Sequence, residues 1–257
     1  MIDLSIVIPT TNRAASLASC LVATRNAIKY THEIIVVDGA SNDGTRAVLE
    51  VAREAMGDRL QVIQERQREG FVRAANKGFR AARGRYLMWL NDDARPLPGS
   101  LDRAIEQLEM SPPTVGLAAL FHPAQTTRNI AFQVQDRGRA FHLLHVRGTL
   151  YANFGMGRRE LFERLGFFDE RYFLNGADPD FSLKVWHAGL SVVPAEGALI
   201  DHDELHDERR DADRDRAASD NSNLFEKWDL PHKNAGFNAF DRNRPCTLKG
   251  LHAAHAA

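Results

Sequence analysis

Apolar residues fall along the first 95 positions in two alternating patterns. Leu4–Ser5–Ile6–Val7–Ile8 is a short apolar run ended by Pro9, as expected of a strand buried on both faces. From Asn12 onward, Leu17, Cys20, Leu21, Thr24 and Ile28 recur at helical spacing. Glu33–Ile34–Ile35–Val36–Val37 repeats the strand pattern. It ends in the turn-forming run Asp38–Gly39–Ala40–Ser41–Asn42–Asp43–Gly44, and Val48, Leu49, Val51 and Ala52 then resume the helical period. Leu60–Ile63 predicts a third strand, Gly70–Arg83 an alanine-rich helix and Tyr86–Leu90 a fourth strand. Strands separated by helices of this length need right-handed crossovers and build a parallel sheet. Ligands of such sheets bind beyond the carboxyl ends of the strands. The polar residues just past each strand, Thr10–Thr11, Asp38 and Asn91–Asp92–Asp93, therefore become candidates.

After Pro96–Leu97–Pro98, Ser100–Leu101–Asp102 opens another helix, and 115–121 and 141–151 predict strands around a polar loop, Gln125–Asn129. Gly157–Leu165 predicts a short helix. Asp178–Pro179–Asp180 opens a longer one carrying Phe181, Leu183, Val185 and Trp186, and Ser191–Val193 predicts a strand. Beyond Asp201 the pattern changes. Asp207–Asp215 is almost entirely charged, and apolar residues return only at Leu224, Phe225 and Trp228. That stretch reads as a solvated helix or a mobile segment, followed by a tail with little potential to build a core.

Composition narrows the function classes. The 257 residues carry 33 Lys+Arg against 34 Asp+Glu, so no broad basic surface advertises nucleic acid. Cys20 and Cys246 are the two cysteines, too few for a disulfide framework and pointing to a reducing compartment. Met1 leads directly into a strand pattern, which leaves no room for a signal peptide. No apolar run approaches the roughly 20 residues of a membrane span. A cytoplasmic protein is expected, with peripheral attachment to the inner face of a membrane left open.

Asn91–Asp92–Asp93 sets two adjacent carboxylates at the edge of the predicted sheet, where they repel unless positive charge lies beside them. A divalent cation shared with a diphosphate meets that need, because Mg²⁺ and Mn²⁺ take a carboxylate or two plus phosphate oxygens. An Asx turn before Pro96 accounts for the same residues without a ligand. Asp38 either accepts a hydrogen bond from a nucleotide base or ribose or forms a turn, while Asp43–Gly44 reads as turn chemistry. Asp178 precedes a proline that suits the first turn of a helix, so it is a natural N-cap. The same geometry sets its carboxylate at a helix mouth, where it can take a proton. His202, after Ala198–Leu199–Ile200, is a metal ligand or a polar strand terminator.

Taken in order, five segments resemble the family 2 glycosyltransferases of the GT-A fold. Ser5–Ile6–Val7–Ile8–Pro9–Thr10–Thr11–Asn12–Arg13 is similar to that family's opening strand and N-R loop. Ile34–Thr45 matches its V-D-x-x-S-x-D-G-T element, and Gly70–Phe71 through Ala74, Asn76 and Gly78 its G-x-x-x-A-x-N-x-G helix. Leu90–Asn91–Asp92–Asp93 stands at the D-x-D position. Leu165–Gly166–Phe167–Phe168–Asp169–Glu170, followed by Gly176–Ala177–Asp178–Pro179–Asp180–Phe181, resembles its G-x-F-D-E…E-D-x-D element. Two positions depart from the pattern: Asn91 replaces the first D-x-D carboxylate, and Ala177 replaces the Glu before the presumed base.

The resemblance implies a GT-A-type α/β fold, with a mostly parallel sheet flanked by helices. Residues 1–95 would form a Rossmann-like nucleotide-sugar half, 96–205 the acceptor half of the same domain, and 206–257 a charged segment and tail. It implies inverting transfer from a nucleoside-diphosphate sugar, UDP- and dTDP-sugars foremost, to a saccharide, lipid-linked or small-molecule acceptor. It further implies Mn²⁺ or Mg²⁺ on Asp93 and His202, donor contacts from Pro9, Thr10, Asn12, Asp38, Asn76, Asn91 and Asp92, and Asp178 as general base. Arg73 and Lys77 either reach phosphates or cover the solvent face of their helix. Tyr172, Phe173 and Trp186 are candidates for stacking on a sugar ring, with core packing as their alternative.

Asn91 and Ala177 motivate a rival, a degenerate protein that binds nucleotide sugars without transfer. A sugar nucleotidyltransferase or a Rossmann dehydrogenase would need a glycine-rich loop after the first strand, and Pro9–Thr10–Thr11–Asn12–Arg13 has no glycine.

Overall fold

The computed structural model describes residues 2–123, 129–203, 205 and 207–230. Most of the predicted polar loop, His206 and the tail from 231, with Cys246, lie outside the described residues. In chain order the elements are β1 (Leu4–Thr10), α1 (Ala14–Asn26), β2 (His32–Asp38), α2 (Thr45–Met56), β3 (Leu60–Gln64), α3 (Phe71–Ala81), β4 (Tyr86–Trp89) and β5 (Ala94–Pro96). They continue with α4 (Ser100–Met110), β6 (Val115–Phe121), β7 (Ile130–Asp136), β8 (Arg139–Val146), β9 (Thr149–Tyr151), β10 (Gly155–Arg158) and α5 (Arg159–Leu165). The last are α6 (Ala177–His187), β11 (Ser191–His202), α7 (Glu208–Ala212) and α8 (Arg214–Lys227).

Among the described residues, eight strands form one sheet in the order β3-β2-β1-β4-β10-β6-β11-β5. Strands β10 and β5 run antiparallel to their neighbours, and the other pairs are parallel. The expected mostly parallel α/β sheet is therefore present. From β1 the chain steps outward through β2 to β3, then returns to place β4 on the other side of β1. That reversal of strand order opens a crevice at the carboxyl ends of β1 and β4. Register fixes what meets there. Val7 pairs with Trp89, so three residues further on Thr10 arrives beside Asp92, and its hydroxyl donates to Asp92 Oδ2 at 2.8 Å.

Alternate residues of the central strands feed two cores. Val7, Val37, Leu87 and Trp89 pack with Phe79, Phe162, Phe168 and Phe181 on one face, and Leu4, Ile6, Ile8, Ile34 and Val36 pack with Leu17, Leu21, Leu101 and Ile105 on the other. This double burial explains why these strands read as continuous apolar runs.

Helix α3 lies so close to β1 that a Cβ on Gly78 would sit 2.3 Å from Val7 Cγ1. Val7 is fully buried and stiff at χ1, so it cannot turn aside. Gly78→Ala is expected to cost about 1–3 kcal/mol through overpacking. Urea denaturation should register that loss, and adding Val7→Ala should recover part of it. A single variant as stable as the parent would contradict the close approach.

Two predicted elements need correction. The strand expected over 141–151 is two strands of a three-stranded antiparallel meander, β7-β8-β9. Its turns fall at Arg137–Gly138 (φ 48° and 79°) and Arg147–Gly148 (φ 49° and 86°), two-residue turns with both central φ positive, which match the twist of a hairpin. The strand expected over 191–193 continues to His202, with a register shift between Pro194 and Leu199. The charged stretch from 207 is also not simply solvated. Leu224 and Trp228 bury one side of α8 against the core, and the Trp228 indole donates to Asp180 Oδ1 at 2.7 Å.

Candidate active site

The loops after β1 and β4 bring Arg13, Asp92 and Asp93 together. Arg13 supplies the positive charge that the two carboxylates require, with Nη1 at 3.2 Å from Asp92 Oδ1 and 2.8 Å from Asp93 Oδ2. Its Nε donates to Asp207 at 2.8 Å, fastening the segment before α7 over the crevice. The extended β11 delivers His202 to the same point, with Nε2 at 3.1 Å from Asp93 Oδ1 and 3.3 Å from Asn91 Nδ2. The Leu205 N–H donates to Asp93 Oδ2 at 3.1 Å. Burial raises the Asp93 carboxyl, but its contact with His202 and the Arg13 guanidinium together hold it well below the usual carboxylate range. Phe154 and His122 meet the His202 ring edge-on, and burial lowers His122 to about 4, so it adds no charge.

Asp93 Oδ1 and His202 Nε2 converge on one point, a carboxylate oxygen and an imidazole nitrogen together. Among the described residues no group of three His, Cys, Asp or Glu converges there, because Asp92 is turned to Thr10 and Arg13. Asp93 and His202 could hold a cation only if its remaining positions came from groups outside the described residues, such as diphosphate oxygens and water.

Around this point lies a cleft lined by Pro9, Thr10, Gly39, Arg68, Asn91 and Arg210, among others. Three residues expected to touch the donor do other work. Both Asp38 oxygens are engaged within the chain, Oδ1 by the Ser41 N–H (3.1 Å) and hydroxyl (2.5 Å) and Oδ2 by Gln64 (3.0 Å), so the turn reading describes it. Asn12 is exposed and clamps the loops after β1 and β2, receiving the Asn42 N–H at 2.8 Å. Asn76 is fully buried, and its amide pairs with the Phe168 carbonyl (2.9 Å), the Phe168 N–H (3.0 Å) and Glu170 (3.1 Å). It holds the loop leading toward α6, and no free edge remains for a nucleotide.

A second cleft adjoins the first and shares Asn91, Phe71, Leu174 and Arg210 with it. Asp178 faces this second cleft. The helix α6 is entered through Gly176 in the left-handed conformation, and Asp178 sits in its first turn without a capping hydrogen bond, which corrects the expected N-cap. Burial pushes the Asp178 carboxyl up to about 8, against a smaller pull from the Trp89 indole. Its Oδ1 has no hydrogen-bond partner among the described residues. Asp180 is instead fully buried against Tyr172, Trp228 and Lys227. Asp220 on α8 fixes the approach to α6 by accepting the N–H groups of Phe173, Leu174 and Asn175 at 2.8–3.0 Å.

The stacking candidates resolve differently. The Tyr172 hydroxyl is tied to Asp180, the Trp186 indole donates to the Leu150 carbonyl at 2.9 Å, and Phe173 lies beneath Arg68 and Arg216. Tyr151 is the tyrosine that lines the second cleft. Lys77 pairs with Glu65 and Glu69, and Arg73 with Glu170, on the outer side of α3. Arg68, Arg210 and Asp213 escaped the sequence reading. Two of them fall within the charged run, whose pattern carries no sign of inward partners, yet Arg68 Nη1 meets Asp213 at 3.1 Å.

Residues 5–166 match the model described as Glycosyl transferase family 2. Glycosyltransferase AglE of Haloferax volcanii is 25% identical over 214 residues, covering 77% of this chain and 66% of the relative. The mannosyltransferase PcManGT of Pyrobaculum calidifontis, solved with GDP-Man and Mn²⁺, superposes with a TM-score of 0.68 at 23% identity, covering 90% of this chain and 65% of the other. S. aureus TarS in complex with UDP-GlcNAc superposes with a TM-score of 0.64 at 16% identity, covering 82% and 61%. The chain therefore spans less than two thirds of the length of each of these proteins. The two solved structures share its GT-A architecture. Among the described residues, no helix is long and apolar enough to cross a membrane.

Proposed function

The chain belongs to glycosyl transferase family 2, and from that premise we propose that it transfers a sugar, with inversion, from a nucleoside-diphosphate sugar to an acceptor hydroxyl. One observation carries the reading. Two clefts meet at Asn91: Asp93 and Arg13 line one, Asp178 and His202 line the other, and the His202–Asp93 contact joins them. The donor lies in the first cleft, over the ends of β1 and β4. The acceptor lies in the second, its hydroxyl against Asp178.

In the reaction the acceptor O–H proton passes to Asp178 as the oxygen bonds to the anomeric carbon. The bond from that carbon to the diphosphate breaks on the opposite face, which inverts the centre. When bound at Asp93 and His202, Mn²⁺ or Mg²⁺ offsets the charge that gathers on the leaving diphosphate. Arg210 lines both clefts, so its guanidinium serves the same charge at the seam. GDP-Man with Mn²⁺ in PcManGT and UDP-GlcNAc in TarS support a nucleotide-sugar donor in this architecture. Asn91 in place of a carboxylate does not argue for a binding-only protein, because its amide contacts the His202 imidazole and Asp178 still faces the cleft.

A thermal-shift panel of nucleoside diphosphates and their sugars, with and without Mn²⁺, tests the reading. At a ligand concentration of about 100 Kd the expected gain is about 2.7 kcal/mol, several degrees for a domain of this size. A folded chain that responds to none of them, with or without the cation, would overturn the proposal.

A further inference from the structure

Besides Asn91, three asparagines line the second cleft together with Asp178: Asn153 between β9 and β10, Asn175 in the loop before α6, and Asn221 on α8. Their backbones are held while their side chains are not. The Asn153 carbonyl accepts the Trp89 indole N–H at 2.8 Å, and the Asn175 N–H donates to Asp220 at 2.9 Å. None of the three carboxamides has a hydrogen-bond partner among the described residues. Each offers two donors and an acceptor, so three segments of the chain bring uncommitted, uncharged hydrogen-bonding groups to one cleft. The lining otherwise holds a single described carboxylate, Asp178, and a single described guanidinium, Arg210, which sits at the seam with the donor. Tyr151 and Pro179 add flat apolar surface.

We propose, building on the transferase reading, that the acceptor is a neutral saccharide whose neighbouring hydroxyls are bound by Asn153, Asn175 and Asn221. A sugar ring presents alternating donors and acceptors around its rim and C–H groups on its faces, which matches amides at the walls and a tyrosine and a proline at the sides. An alkyl chain or a phenol ring would cover the amides without pairing them. Each amide so stranded weakens binding by about tenfold or more, and a site built to hydrogen-bond hydroxyls rejects analogues lacking them by about 10⁴-fold. An acceptor phosphate would need a cation of its own, and the cleft's one described guanidinium, Arg210, and its histidine, His202, both stand at the donor side. The hydroxyl chosen for attack gives its proton to Asp178 and its oxygen to the anomeric carbon, and the electron pair of the broken bond leaves with the nucleoside diphosphate.

The test uses the full chain with Mn²⁺ and the donor that the thermal-shift panel selects. Acceptor probes are methyl hexosides, methyl N-acetylhexosaminides and neutral disaccharides, set against methyl 4-hydroxybenzoate, decanol in detergent and a hexose phosphate. Products are read by mass spectrometry. Transfer to at least one neutral saccharide is expected. Its KM should rise about tenfold in Asn153→Ala, Asn175→Ala and Asn221→Ala, against an unchanged Kd for the nucleoside diphosphate. Asn175 and Asn221 are exposed, so their variants should fold as the parent does. Transfer confined to the phenol, the alcohol or the phosphate overturns the proposal, as does a saccharide KM unmoved in all three variants. Donor hydrolysis without transfer to any saccharide overturns it too, and leaves the transferase reading standing. A chain that neither binds a nucleoside diphosphate nor hydrolyses a donor removes both.

Discussion

Asp178→Asn is expected to bind nucleoside diphosphate as the parent does and to transfer sugar about 10²–10⁴-fold more slowly. The amide keeps the volume of the acid but cannot take the acceptor's proton. The parent should also show a pH dependence that the variant lacks. With its carboxyl pushed up to about 8, Asp178 is protonated and inactive as a base in acid, so kcat/KM should climb with pH and level off above that value. Stability should run the other way. The unfolded carboxyl releases its proton near 3.8, whereas the folded one holds it to about 8. Between those values the folded state carries the extra proton, so rising pH removes stability. Asp178→Asn escapes that loss and should melt at a higher temperature than the parent at pH 8. A variant that transfers at the parental rate, or keeps the parental pH profile, would remove Asp178 from the mechanism.

The second large effect is expected at Asp93. Asp93→Asn should give a folded chain whose nucleotide binding no longer responds to Mn²⁺, and whose transfer falls by about 10³-fold or more. An amide keeps the volume and can still accept the Leu205 N–H, so the fold is spared. It loses the negative charge that both His202 and Arg13 address. The chelated parent and the metal-supplied variant should therefore behave alike in thermal shift and in transfer. A Mn²⁺-dependent shift that persists in the variant would place the cation elsewhere.

The strand ends were legible because a strand buried on both faces leaves an unbroken apolar run, and the run stops where the chemistry starts. Thr10 and Asn91–Asp93 were found in that way, and the structure sets them side by side. Asp178 was legible as an acid at a helix entry, although the helix begins at Ala177 and leaves it uncapped. Asp38 and Asn76 stood in the right motifs, but a motif does not say which way a side chain is spent, and both are spent inside the chain. Arg13 and Asp207 lie 194 residues apart, and nothing in a charged run names the distant partner of any one charge. The meander β7-β8-β9 was blurred because its strands follow one another with only two-residue turns between them.

Those late ion pairs have a consequence for how the protein is made. Every strand of the sheet has been translated by His202, but Asp207, Asp213 and Asp220 follow it. Synthesis proceeds from the amino end, so a nascent chain holds the carboxylates of Asp92 and Asp93 before the groups that close over Arg13, brace Arg68 and fix the loop ahead of Asp178. The residues of the crevice are translated early, and those that fix the loop ahead of Asp178 are translated last.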